Sequence, residues 1–223
     1  MSPGGTEPVS TRPFRPPTPE KVVIAGPAGP LEALCEVPEG YLGRDCAVVC
    51  HPHPLYGGTM QNKVVHSAAR ALQERGFATV RFNFRGVGAS AGSFDDGRGE
   101  TQDALAACDY ALARWPGARL TLAGFSFGSF VAYQAAGLRP AVRLYTIAPP
   151  VGRFNFAEHP APRVPWIVIQ GDRDELVDSA RVLEWVRSAS PPPTVVIIEG
   201  AEHFFHGRLN ELKDAVQSHL GDS

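Results

Sequence analysis

Apolar residues fall along the chain in two patterns. Short continuous runs occupy residues 46–50, 120–123, 143–148, 166–170 and 194–199, each stopped by glycine, proline or charge. Runs of this length predict strands covered on both faces. Between them apolar residues recur every three or four positions. Val64, Val65, Ala68, Ala69 and Leu72 predict a helix over residues 62–75, which Gly76 closes. Ala104, Leu105, Cys108 and Leu112 predict another over 100–115, ended by Pro116 and Gly117. Further helices are expected from 128 to 136, over 179–188 and over 208–220. Residues 78–84 alternate Val80, Phe82 and Phe84 with Arg81 and Asn83, as in a strand more buried on one face. Upstream, residues 22–25 and 31–37 predict an antiparallel hairpin. Its connection over 26–30 looks too rich in proline for a tight two-residue turn.

Strand alternating with helix through short connections predicts a mostly parallel sheet with helices on both faces, because each parallel crossover needs one. Such sheets bind ligands beyond the carboxyl ends of their strands. Residues 51–58, 124–128, 171–178 and 200–207 are expected there. Only residues 151–164 separate the strand over 143–148 from the next, so that connection is expected to be a loop and the cleft beyond the strand ends open. Tyr56, residues 90–98 and residues 151–164 are the expected roof. Residues 1–20 carry six prolines among polar residues and are expected to form a flexible tail. Residues 21–223 are long enough for one domain.

Composition narrows the function. Lys and Arg number 21 against 23 Asp and Glu, with no basic patch, so nothing favours nucleic acid. No apolar run is long enough for a membrane span, and the N-terminal residues lack the apolar core of a secretory signal. Cys35, Cys46, Cys50 and Cys108 show no C-x-x-C spacing and read as buried or free thiols, which suits the cytoplasm. A monomer and a homodimer are both compatible with the pattern.

The stretch that carries chemistry is Gly124-Phe125-Ser126-Phe127-Gly128, placed between a strand and a helix. G-x-S-x-G in that context is a nucleophile elbow. A serine hydroxyl needs a general base, and the base needs a group to hold its tautomer. Both follow at later strand ends, in the order Ser, Asp, His. Asp174 is favoured as the acid by G-x-x-D spacing, with Asp172, Asp178 and Glu175 competing. His203 is favoured as the base, with His206 behind it. The first oxyanion donor is the Phe127 N–H. The second belongs to the loop over 51–58, where Pro52 and Pro54 have no N–H, leaving Leu55 or Tyr56. His51-x-His53 admits a metal pair, but downstream ligands are lacking and both histidines are read as loop braces or pocket walls. Gly86 to Ala91 matches G-x-G-x-x-A, yet more loop follows where a nucleotide site needs a helix. No cofactor and no metal are expected. Phe125, Phe127, Phe154, Phe156, Phe204 and Phe205 flank the site, some as core and some as pocket.

GFSFGS, GDRDELVD, GAEHFFHG and RFNFRGVGAS together resemble the α/β-hydrolase superfamily over about residues 20–220. HPHPLYGGTMQNKVV further resembles a group of small bacterial serine α/β-hydrolases of poorly defined substrate. Asn83 stands where that superfamily commonly has aspartate. The resemblance implies a capless α/β-hydrolase fold, a Ser126–Asp174–His203 triad, and hydrolysis of a small-molecule carboxylic ester or thioester. A peptidase or amidase on the same triad is the alternative enzyme. A non-catalytic binding domain of the same fold is the alternative outside enzymes.

Overall fold

Strand–helix alternation resolves into an eight-stranded sheet in the computed structural model, which describes residues 14–220. In chain order the strands are β1 (Glu20–Gly26), β2 (Gly29–Glu36), β3 (Asp45–Cys50), β4 (Ala78–Phe82), β5 (Arg119–Phe125), β6 (Ala141–Ile147), β7 (Trp166–Gly171) and β8 (Thr194–Ile198). Across the sheet they run β1-β2-β4-β3-β5-β6-β7-β8. The first two pairings are antiparallel and all later ones parallel. Residues 1–13, most of the expected proline-rich tail, lie outside the described residues.

The helices are α1 (Lys63–Gln73), α2 (Arg98–Arg114), α3 (Phe127–Ala136), α4 (Ser179–Ser188) and α5 (Leu209–Gln217). Successive strand residues feed opposite layers. Cys46, Val48, Leu120, Leu122 and Val168 pack with α2, α3 and α4. Ala47, Val49, Ala123, Phe125, Ile167 and Ile169 pack with α1 and α5. Burial on both sides is the physical reason these strands read as continuous apolar runs.

Two local expectations are corrected. The hairpin turn does have two residues, because Gly26 pairs with Gly29. Pro27 presets its φ for the turn, and Gly29 takes φ 119°, a value that side chains resist. Pro30 is tolerated because β4 pairs only with Ala33 to Glu36, leaving beside Pro30 a loop that needs only its carbonyl, which accepts the Ala91 N–H at 2.8 Å. β4 is buried on both faces rather than one. Arg81 is 1% exposed. Its guanidinium meets Glu36 at 2.9 Å and donates to the Met60 carbonyl at 2.8 Å. A charge can be buried when it is paired in this way.

Between β6 and β7 the chain forms no cap. The segment holds a single 3-10 turn, Phe156–Glu158, packed under Trp185 of α4. The protein is capless, and the carboxyl ends of β3, β5, β7 and β8 open toward solvent through one cleft.

Candidate active site

β5 ends at Phe125 and α3 starts at Phe127, so Ser126 alone makes the turn, at φ 51° and ψ −122°. A non-glycine residue there costs about 1–3 kcal/mol and persists only when its surroundings impose it. Here the Ser126 N–H donates to the Ile147 carbonyl at 2.8 Å. Its own carbonyl accepts the Ser129 hydroxyl at 2.6 Å. A Cβ at Gly124 would collide with the Gly128 carbonyl, and one at Gly128 with the carbonyls of Cys50 and His51. Both glycines are therefore required by close backbone approach. The second contact also presses the loop after β3 against the elbow.

Ser126 Oγ lies 3.1 Å from Nε2 of His203. On the other side of that ring, Nδ1 lies 2.9 Å from Oδ2 of Asp174. The Asp174 carboxylate is fully buried and the imidazole nearly so. Oδ1 of Asp174 also accepts the N–H groups of Leu176 (3.0 Å) and Val177 (2.8 Å), and Oδ2 accepts from Gln170 Nε2 at 3.0 Å. Burial alone would raise the carboxyl pKa, but the bonds from His203 and the two amides outweigh it and hold the group below its ordinary value. An ionised carboxylate only accepts, so Nδ1 carries the proton and Nε2 presents a lone pair to the serine. The arrangement can remove the Ser126 proton and stabilise the resulting imidazolium.

The competing acids have other tasks. Asp172 accepts the Gly200 N–H at 2.6 Å. Asp178 caps α4 by accepting from Ala180. Glu175 accepts the backbone N–H of His203 at 3.1 Å, fixing the loop that carries the imidazole. His206 is exposed, 3.9 Å from Glu202.

In the loop over 51–58 both expected second donors are already hydrogen-bonded. The Leu55 N–H is bound to His53 Nδ1 at 3.3 Å, and the Tyr56 N–H to the His53 carbonyl at 3.1 Å. Both are spent inside the loop. The His53 N–H has no protein acceptor among the described residues, and His53 lines the cleft beside Ser126 and Phe127. The signal was in the sequence: Pro52 and Pro54 silence their own positions and leave the residue between them as a donor. The Phe127 N–H is the first of α3 and has no intrahelical partner.

Neither histidine of His51-x-His53 offers a metal pair. His51 is buried and accepts the Phe84 N–H at Nε2, 3.0 Å, so its Nδ1 proton donates to the Pro52 carbonyl at 2.6 Å. Burial lowers its pKa to about 4. Asn83 has its own explanation: its amide donates to Glu32 at 2.8 Å while its oxygen accepts the Met60 N–H at 2.9 Å. An aspartate there would oppose the Glu32 carboxylate.

The cleft above Ser126 encloses about 450 Å³. His53, Tyr56, Phe127, Val151, Arg153 and Phe154 form one part of its wall, and Leu176, Val177 and Phe204 another. Loop 151–164 and Tyr56 contribute as expected, whereas residues 90–98 act only through Phe94, which backs His53 with ring centroids 4.7 Å apart. Leu176 and Val177 were not anticipated as walls. Of the six flanking phenylalanines, Phe127, Phe154 and Phe204 line the cleft, while Phe125, Phe156 and Phe205 are core.

A strained elbow serine at the head of a mostly parallel sheet, hydrogen-bonded to a strand-end histidine and without a lid, defines the capless α/β hydrolase class. The chain belongs to the alpha/beta hydrolase domain family, which matches residues 47–219. It is 44% identical to a lidless serine hydrolase from Xanthomonas campestris, whose structure superposes with a TM-score of 0.86 over 94% of this chain and 96% of that one. An α/β serine hydrolase homologue from Coxiella burnetii is 43% identical, with a TM-score of 0.87 over 91% of this chain and 97% of the other. An uncharacterized protein of Rickettsia prowazekii is 39% identical over 184 residues, covering 78% of this chain and 77% of its own length. No helix among the described residues is long and apolar enough to cross a membrane.

Proposed function

We propose that the protein is a serine esterase that cleaves carboxylic esters or thioesters through an acyl-enzyme. The observation that carries this reading is the continuous hydrogen-bonded chain from Ser126 Oγ through His203 to the buried Asp174 carboxylate. His203 Nε2 takes the hydroxyl proton as Oγ attacks the ester carbonyl carbon. The carbonyl oxygen becomes an oxyanion facing the N–H groups of Phe127 and His53, donors that typically contribute about two to three orders of magnitude each. The imidazolium then protonates the departing alcohol or thiol, leaving acyl-Ser126. Water, deprotonated by the same imidazole, attacks the acyl carbon, and Ser126 recovers its proton as the acid leaves.

Aromatic and aliphatic lining favours a small ester with an apolar body. We also propose a cytoplasmic setting, supported by four buried cysteines that form no disulfide. The test is hydrolysis of 4-nitrophenyl esters from acetate to laurate by wild type and Ser126→Ala. Turnover that vanishes in the variant supports the reading, and the chain-length optimum sizes the pocket. Absence of turnover with every ester, together with no labelling by a fluorophosphonate, would overturn it.

A further inference from the structure

The cleft has two unlike sides, and the esterase chemistry orients a substrate between them. His203 delivers its proton to the leaving group, so the alcohol half of an ester lies toward His203, where Leu176, Val177 and Phe204 form an apolar wall. The acyl half then lies on the other side, against His53, Phe127 and Phe154. The rings of Phe127 and Phe154 stand 5.2 Å apart there, with His53 5.0 Å from Phe127.

Arg153 borders this acyl side. Its guanidinium carbon sits 5.0 Å from the centroid of the Tyr56 ring, and Nη2 donates to the Tyr56 hydroxyl at 2.8 Å. Ring and hydroxyl hold the cation at the cleft without neutralising it. Arg153 forms no ion pair among the described residues. Among the described residues no aspartate or glutamate lines the cleft, and Arg153 is its one lysine or arginine. Asp96, whose charge reaches His53, is not part of the lining. A purely apolar acyl chain would end beside a guanidinium whose remaining N–H groups keep only water as partners. An acyl chain ending in a carboxylate would meet a planar donor group held at the cleft by Tyr56, with N–H groups left over to bind it.

We propose that Arg153 binds an anionic group at the far end of the acyl chain, so that the preferred substrates are monoesters or monothioesters of dicarboxylic acids. This inference rests on the esterase reading. The reaction is unchanged by it: the carboxylate is bound and released with the acyl group and takes no part in bond making.

The test compares 4-nitrophenyl hydrogen adipate with 4-nitrophenyl hexanoate, which share an acyl chain length and differ in a terminal carboxylate or methyl. kcat and KM are measured for wild type, Arg153→Met and Arg153→Lys, with and without added salt. The adipate-to-hexanoate ratio of kcat/KM is expected to fall about fivefold in Arg153→Met, as loss of one exposed charge-assisted contact implies. The fall is carried by KM for adipate. Arg153→Lys restores part of it, and salt weakens the wild-type ratio. A ratio that is the same in wild type and Arg153→Met, with Ser126-dependent turnover of hexanoate, overturns this inference and leaves the esterase reading standing. No turnover of any ester, together with no labelling of Ser126 by a fluorophosphonate, overturns both.

Discussion

Asp174→Asn isolates the tautomer that the chemistry depends on. The carboxylate accepts from the Leu176 and Val177 amides at Oδ1 and from Gln170 at Oδ2, while His203 Nδ1 lies 2.9 Å from Oδ2 and 3.1 Å from Oδ1. Asparagine keeps the shape but supplies one acceptor oxygen and one donor NH2. The amides of Leu176 and Val177 cannot turn away, so the oxygen goes to them and the NH2 lands between two donors. Gln170 can adapt by turning its amide, because its Oε1 is buried without a partner among the described residues. Doing so sacrifices its bond to the Gly171 carbonyl, 3.1 Å. His203 Nδ1–H then faces the NH2 and keeps only its longer 3.1 Å approach to the oxygen already shared by the two amides, a clash relieved by moving the proton from Nδ1 to Nε2. Nε2 then donates to Ser126 instead of accepting from it, and the hydroxyl has no base. The expected loss in kcat is about 10⁴-fold, the size seen when a serine protease loses this tautomer. That is about 5 kcal/mol in the barrier. The assay is turnover of 4-nitrophenyl butyrate, with circular dichroism to verify the fold and Asp172→Asn as the comparison. Asp172 serves only the Gly200 amide and its variant is expected to stay near wild type. A loss below about tenfold in folded Asp174→Asn would refute the reasoning, since a misplaced general base costs about 10²–10⁴.

His53→Pro tests the second oxyanion donor. His53 has φ −54°, a value proline adopts without strain, so the substitution deletes the N–H while keeping the local backbone. A fall in kcat of about 10²–10³ is expected, with His53→Ala, which keeps the N–H, much closer to wild type. Equal losses in the two variants would assign the effect to the ring instead. His51 makes stability depend on pH. In the unfolded chain its imidazole titrates near 6.5 and in the fold near 4, so between these values only the unfolded chain holds the proton. Its contribution is complete above about pH 6.5 and is lost as pH falls toward 4, on the order of 3 kcal/mol in all. Urea unfolding at pH 7.5, 6 and 5 should show this decline, and His51→Gln should flatten it. An unchanged slope in the variant would contradict the assignment.

Much of the fold was legible because each parallel strand is sandwiched between two helical layers. That is why residues 46–50 and 166–170 contain little but apolar side chains. The elbow was legible for a related reason: Gly124 and Gly128 are forced by backbone contact, and such contact leaves a spacing signature. Arg81 was not legible as a buried residue. Its burial depends on Glu36, which β2 brings alongside β4 only once the sheet order is known. The donor role proposed for His53 was signalled by its flanking prolines but competed in the sequence with its neighbours. Leu55 and Tyr56 carry N–H groups in sequence, and only the folded loop shows those groups already committed to His53. The tight hairpin turn was not legible because proline usually signals a longer loop, whereas the preset φ of Pro27 suits a two-residue turn. Leu176 and Val177 shape the cleft and also donate to Asp174, roles that an apolar pair after an acid does not announce.

The proposed mechanism requires that Ser126 become acylated. Intact-protein mass spectrometry after rapid acid quench during turnover of 4-nitrophenyl butyrate, followed by peptide mapping, detects this step. One added butyryl group per chain is expected, on the peptide containing Ser126, formed at the same rate as the nitrophenolate burst and absent in Ser126→Ala. Steady turnover by Ser126→Ala at the wild-type rate, or an acyl group mapped to any other residue, would contradict it.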